Sequence, residues 1–320
     1  MSKVIENPFI NRQMIKNEND FIGRKRELST IISRLRNGSS VSVVGERRIG
    51  KSSLLYHLFL TGNKRLDDIN KTSYRLFYID AHSALFSSPS DFASEIVTAF
   101  TISHDAEEVK EKPLKVLTRG LKTFRKSGTL PILLIDEFEK LSEKKAIFVD
   151  SFFESLRSCC NSNMLAIVTA SQHTLKNLTE KNGLTSPFWN IFYSVPIGGF
   201  AVDDDHNKNE VIDFIHRFWD GLSPSDEEVL FLLNYGSNHP LVLQTVSFHL
   251  YENRDLQLDE RKLKKAIQEE LLSYFRDRPE KITRWFRRAG ILNKINKGTE
   301  YIGKQIKNLG SVLDFFKPGS

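Results

Sequence analysis

Gly45-Glu46-Arg47-Arg48-Ile49-Gly50-Lys51-Ser52 is the stretch that decides the fold, because it fits the pattern G-x-x-x-x-G-K-[S/T] and lies between a strand and a helix. In such a loop the glycines let backbone N–H groups curl around phosphates, the lysine reaches the outer ones, and the serine hydroxyl ligates magnesium. Each group answers a concentrated negative charge, so the stretch predicts a bound nucleoside triphosphate with Mg2+. Upstream, Ser40-Val41-Ser42-Val43-Val44 has strand alternation; downstream, residues 52–60 read as a helix ending near Gly62. The N-terminus of that helix adds a partial positive charge where phosphate would sit. A short pattern also arises by chance in unrelated loops, and the strand, loop, helix order argues against chance here.

An enzyme built on this loop also needs an acid at the tip of a buried strand, and Pro131-Ile132-Leu133-Leu134-Ile135-Asp136-Glu137 supplies one. Consecutive aliphatic residues suit a strand covered on both faces in a parallel sheet, and Asp136 emerges at its carboxyl end, where ligands gather. Asp136 is the expected second metal ligand beside Ser52. Glu137 follows directly and is placed to orient or deprotonate the attacking water. Acids after a buried strand are also ordinary loop residues, and the loop upstream gives this pair its meaning.

Three stretches make the chain resemble the P-loop ATPases of the AAA+ and STAND type, particularly the archaeal-type ATPases and their bacterial relatives. Phe21-Ile22-Gly23-Arg24-Lys25-Arg26-Glu27-Leu28 is similar to the F-x-G-R-x-x-E-L box that helps form the base pocket in these families. The loop, with Arg47-Arg48 ahead of Ile49-Gly50-Lys51 and with Ser52-Ser53 behind, is similar to their G-x-R-R-x-G-K form. Gly236-Ser237-Asn238-His239-Pro240-Leu241-Val242-Leu243-Gln244 resembles the G-G-H-P-x-x-x-Q segment of the lid, with Ser237 in place of the second glycine and Asn238 added. The resemblance implies nucleotide contacts at Gly23, Arg24, Gly45, Arg47, Arg48, Ile49, Gly50, Lys51, Ser52, Ser53, His239 and Pro240. It also implies an α/β domain whose parallel sheet has the order 5-1-4-3-2 with helices on both faces, a helical lid, and a γ-phosphate-sensing residue at the end of a central strand.

The remaining pattern alternates strand and helix as that architecture requires. Tyr74–Asp80 and Met164–Ser171 have strand composition, Phe148, Val149, Phe152, Phe153 and Leu156 recur at helical spacing, and a fifth strand is expected at Ile191–Ile197. Ser171 is the candidate for the sensing residue; its ordinary alternative is a turn or helix-cap residue. Past Phe200 and the acidic run Asp203-Asp204-Asp205, the chain reads as helices with short joints. Val211, Ile212, Ile215 and Phe218 form one apolar face, Gly221 ends that helix, Ser223-Pro224 with Asp226 begins the next, and Leu258–Ser273 forms another. The expected division is residues 1–200 for the ATPase domain, 201–275 for a helical lid and 276–320 for a short basic extension, in part a winged helix by resemblance.

Charge is uneven over the 320 residues: 261–320 carries fifteen Lys or Arg against six Asp or Glu, a net of +9, which leaves −3 for the rest of a chain at +6. Five arginines between Arg276 and Arg288 stand beside Tyr274, Phe275, Trp285 and Phe286, a mixture suited to nucleic acid. Aromatics at helical spacing are as readily core residues, with the basic ones a solvated face. No apolar run long enough for a membrane span and no signal peptide is seen, so a cytoplasmic protein is expected. The cysteines are the adjacent pair Cys159 and Cys160, read as packing residues because their spacing fits neither a zinc site nor a disulfide framework.

Fast enzymes of this type present an arginine just before the last strand, and Ser186-Pro187-Phe188-Trp189-Asn190 holds none; such a residue contributes about 10³–10⁵ in rate. Arg47, Arg48 and Arg157 are the substitutes. The resemblance therefore implies an ATPase in which Lys51, Glu137 and Ser171 act on ATP slowly, a switch that controls a protein partner carrying sensor or effector function, within a homo- or hetero-oligomer and in prokaryotic defence or signalling. The alternative is a DNA-binding AAA+ ATPase of the initiator or transposition-regulator kind using the basic C-terminus. A weaker third is a nonhydrolysing scaffold.

Overall fold

The computed structural model describes residues 7–10, 13–66, 72–82, 88–99, 111–144, 146–201, 210–219, 224–236 and 238–276, with single positions at 222, 279 and 282. The chain divides into two compact units, Met14–Gly198 and Met1–Gln13 with Gly199–Ser320.

In the first, β1 (Ser40–Gly45), β2 (Ser73–Asp80), β3 (Thr129–Asp136), β4 (Ala166–Ser171) and β5 (Phe192–Ile197) form one sheet, all pairs parallel, in the order β2-β3-β4-β1-β5. This is the order 5-1-4-3-2 expected from the sequence, seen from the other edge. Alternation sorts the strands into two cores. Val41, Val43, Ile132, Leu134, Ala166 and Val168 face the helices α1 (Lys25–Arg36) and α2 (Lys51–Leu66), whose Ile31, Leu35, Leu54 and Leu58 are fully buried. Leu133, Ile135 and Ile167 face the opposite layer, built from α3 (Pro89–Ala99), α4 (Pro113–Lys126), α5 (Glu139–Glu143), α6 (Asp150–Asn161) and α7 (Leu175–Lys181). Strands buried on both faces explain why β3 reads as a run of aliphatic residues.

Two local expectations change. The helix after the loop does not stop near Gly62 but runs on to Leu66, with Gly62 buried inside it. A Cβ at Gly62 would stand 2.4 Å from Leu76 Cδ2, so this glycine admits strand β2 rather than ending a helix. Helix α6 begins at Asp150, later than its apolar spacing suggests; Val149 caps it and is exposed, while Phe148 is buried ahead of it. Cys159 lies in the core and Cys160 packs at its margin.

The second unit contains α8 (Glu210–Trp219), α9 (Asp226–Tyr235), α10 (Pro240–Leu256) and α11 (Glu260–Tyr274) among the described residues. Ser225 starts α9 through a capping box: its hydroxyl accepts the Glu228 N–H at 3.2 Å, and the Glu228 carboxylate accepts the Ser225 N–H at 2.8 Å. Asn7 and Phe9 pack within this unit. Phe9 is 1 % exposed among Phe214, Phe218 and Trp219, with ring centroids 5.0–6.2 Å away, and Asn7 donates to Phe248 O and Glu252 Oε1. The acidic run at 203–205, Gly221, Ser223, Ser237 and nearly all of the extension expected at 276–320 lie outside the described residues. No helix among the described residues is long and apolar enough to cross a membrane.

Candidate active site

The loop from Gly45 to Gly50 joins the carboxyl end of β1 to α2 and is shaped by its two glycines. A Cβ on Gly45 would fall 2.5 Å from Ile197 Cγ2 and 2.6 Å from Ile197 O, so the loop can press against β5 only without a side chain. Gly50 has φ +99°, in the left-handed region that favours glycine. Ile49 is buried between them, whereas Arg47 and Arg48 are exposed at the tip, Arg48 at φ 63°.

A second element tethers this loop. Gly23 and Arg24 both take positive φ, 74° and 62°, which turns the chain sharply into α1 and sends the Arg24 side chain inward, where it is 2 % exposed. Its Nη2 donates to Ile49 O at 2.9 Å and its Nη1 pairs with Glu27 Oε1 at 3.3 Å. Arg24 is therefore seated on the loop's own backbone. Phe21 of the same box stacks on His57 of α2, centroids 4.1 Å apart and rings 12° from parallel. Ser53 accepts the N–H of Ile15 at 3.1 Å.

Lys51, 7 % exposed, donates through Nζ to Gly45 O at 3.0 Å and Glu46 O at 2.9 Å. Burial pulls its pKa below the ordinary lysine range, and the charges of Glu139, Glu137 and Asp136, in that order, oppose the fall. Ser52, the next residue, lies near enough to the Asp136 carboxylate to lower its pKa. That carboxylate is 4 % exposed and also accepts the Tyr78 hydroxyl at 2.9 Å on Oδ2 and the Glu137 N–H at 3.0 Å on Oδ1. Burial raises the Asp136 pKa, with Ser52 and the bonds from Tyr78 and Glu137 opposing it; burial, then Asp136, raises that of Tyr78.

Glu137 has φ 49°, a conformation L-residues with side chains seldom adopt, and is half-buried. Its pKa is raised by burial first, then by Glu139 and Asp136, against the pull of Lys51. Ser171 ends β4 beside Val44 of β1, fully buried, its hydroxyl donating to His173 O at 2.7 Å. Thus residues 51, 52, 136 and 137 come together at the carboxyl edge of the sheet. His239 and Pro240 belong to the helical unit, where His239 caps α10, Pro240 is its first residue, and the His239 ring meets Phe275 edge-on at 5.5 Å.

Two residues at the site escape sequence reasoning. Tyr78 sits two residues before the end of β2, in register with Leu134, and its one signal is a hydroxyl-bearing aromatic near a strand's carboxyl end. Glu139 follows Glu137 by two, and the repeated acid in Asp136-Glu137-Phe138-Glu139 could have marked it.

Residues 21–184, half of the chain, match the family model described as the ATPase domain predominantly from Archaea. The chain belongs to this family. Its fold is that of the P-loop AAA+ ATPases. It superposes on the Walker-type ATPase PABY2304 of Pyrococcus abyssi with a TM-score of 0.59 and 17 % identity, covering 94 % of this chain and 93 % of that one. The ORC2 protein of Aeropyrum pernix, solved in ADPNP and ADP complexes, gives 0.58 and 12 % over 78 % of this chain and 70 % of that one. The ORC1 protein of the same organism, solved in complex with DNA, gives 0.53 and 13 % over 79 % and 66 %. No curated protein sequence matches.

Proposed function

We propose that this chain binds ATP with magnesium at the Gly45–Ser52 loop and hydrolyses the nucleotide slowly, as a switch that controls assembly or activation of a protein partner. The observation that carries the reading is the convergence of the loop, with buried Lys51 and with Ser52, on the buried Asp136 at the tip of β3, whose titration Ser52 lies near enough to lower. A hydroxyl and a carboxylate are the hard oxygen donors magnesium takes, with its remaining positions left to phosphate and water. Bound there, the ion would neutralise charge on the outer phosphates. Lys51, now held by two loop carbonyls, is the cation those phosphates would draw. Glu137 would orient the attacking water and accept its proton; its carboxyl, raised by burial, is the more basic for it. Ser171, at the end of the neighbouring strand, is the candidate to sense the terminal phosphate.

Slow turnover is supported by the turn Pro187–Ile191 ahead of β5, which carries no arginine. A long-lived triphosphate state suits a switch, and a partner with sensor or effector function, an oligomer and a role in prokaryotic defence or signalling fit it by resemblance. Isothermal titration tests the site: wild type should bind ATP and Lys51→Ala should not. Equal affinity in both would remove the assignment.

A second reading, a DNA-binding ATPase of the initiator kind, is favoured by the net +9 of residues 261–320 and by the likeness to a protein solved with DNA. Filter binding to duplex DNA across a salt series decides it, since phosphate contacts give a steep negative slope.

A further inference from the structure

The ring of Tyr78 and its hydroxyl serve different elements. The ring packs from β2 onto α2, the helix that begins at Lys51, and meets Tyr56 edge-on at 5.5 Å and Phe59 at 6.3 Å. The hydroxyl reaches β3 and donates to Asp136 Oδ2 at 2.9 Å. The Met14 thioether, at 3.5 Å, is a weak acceptor, so the single proton goes to the carboxylate. Oδ1 of the same carboxylate accepts the Glu137 N–H at 3.0 Å, and the Asp136 carbonyl accepts the Ala81 N–H at 3.0 Å, just past β2. Asp136 is thus gripped at both carboxylate oxygens and at its backbone, and of these three contacts Tyr78 makes the one from a side chain. A buried carboxylate with a donor on each oxygen keeps one orientation, and both oxygens retain lone pairs for a further partner.

We propose that Tyr78 is a positioning residue for the metal ligand Asp136: its hydroxyl fixes the rotation of the carboxylate, and its ring, packed on α2, ties that carboxylate to the helix that carries Ser52. This rests on the ATPase reading above. A ligand already held in place needs no ordering when the ion arrives, and hydrogen-bond partners of metal ligands are worth about 10- to 100-fold in metal affinity. Asp136 serves the ion and not the nucleotide itself, so loss of the hydroxyl weakens ATP binding only when magnesium accompanies it.

Tyr78→Phe keeps the ring against Tyr56 and Phe59 and removes the hydroxyl alone. Calorimetric titration with ATP in excess magnesium should give a Kd about tenfold above that of wild type. Titration with ATP in EDTA should give the wild-type value, a split that a merely structural role does not produce. Urea unfolding reads the bond without nucleotide, at about pH 8, where carboxylates are ionised. There Tyr78→Phe should lower the midpoint of the wild type, because a buried carboxylate loses its donor, and should not lower that of Asp136→Ala, which has no carboxylate to lose. A Tyr78→Phe protein whose two ATP affinities both equal those of wild type, or weaken together, overturns the proposal, as does an equal fall in urea midpoint on both backgrounds. Failure of the ATPase reading looks different: wild type itself then gives no heat with ATP in either buffer, and the urea midpoints still decide whether Tyr78 holds Asp136.

Discussion

Replacing Arg24 with methionine tests whether the phosphate loop is held from outside itself. Methionine keeps an unbranched stem of similar reach and removes every donor. The bond from Nη2 to Ile49 O at 2.9 Å is lost, and the carbonyl it served lies against a buried residue. Removing a hydrogen bond to a charged group costs about 1.5–3 kcal/mol. The pair with Glu27 adds little, because it is long at 3.3 Å and the Glu27 side chain, 19 % exposed, can turn to water. At about 2–4 °C per kcal/mol for a domain of this size, the melting midpoint of the sheet-containing unit should fall by about 3–12 °C. The nucleotide must then order a loop that Arg24 no longer ties down, and at about 1.4 kcal/mol per factor of ten the ATP Kd should rise by about 10- to 100-fold. Arg24→Lys supplies a point charge without the planar fork and should fall between wild type and methionine. Calorimetric titration with ATP and thermal unfolding of the three proteins give both quantities. An ATP Kd within about twofold of wild type in Arg24→Met would show that the loop holds its shape unaided, and the reasoning from the tether would be wrong.

Gly62→Ala gains helix propensity worth about 0.5–1 kcal/mol, but its Cβ meets Leu76 Cδ2 at 2.4 Å and overpacking costs about 1–3 kcal/mol. The variant should therefore be less stable in urea, and Leu76→Val in the same chain should recover part of the loss. Thr169→Val should stabilise by about 1 kcal/mol, since the Thr169 hydroxyl is buried without a partner among the described residues and valine has its shape; a lowered urea midpoint would contradict this. In the helical unit, the Glu228 carboxylate takes two bonds from Arg254, at 2.7 and 2.8 Å. Burial alone would raise its pKa, but Arg254 and the Ser225 backbone hold it below the ordinary value of 4.5. A depressed folded-state pKa contributes stability present above the unfolded value and lost as pH falls through the folded one. Thermal midpoints should therefore drop on acidification below that value, and Glu228→Gln should flatten that part of the profile; an equally steep acid loss in the variant would exclude Glu228 as its source.

What can be read in the sequence and what cannot divides by the distance along the chain over which an interaction acts. The loop occupies eight adjacent residues, so connectivity alone places glycine, lysine and serine, and the run Pro131–Asp136 declares its own burial by being aliphatic throughout. Sheet order follows from these two anchors and a resemblance. Gly62 misleads because a glycine near an expected helix end has a local meaning, a cap, and a tertiary one, room for Leu76, and the sequence displays only the first. Arg24 stands in the segment that sequence singles out, and its side chain grips the loop backbone. Its bond to Ile49 spans 25 residues and depends on a left-handed backbone at a non-glycine, which composition does not announce. Glu139 reaches Gln172 across 33 residues, and Asn7 reaches Phe248 across 241. Each of these polar contacts is fixed by how elements pack after they form, so the same residue types at the same spacing are equally consistent with a solvated turn. A substitution at Arg24 or Glu139 is therefore more informative about this molecule than one at Lys51, whose importance any protein carrying the loop pattern would share.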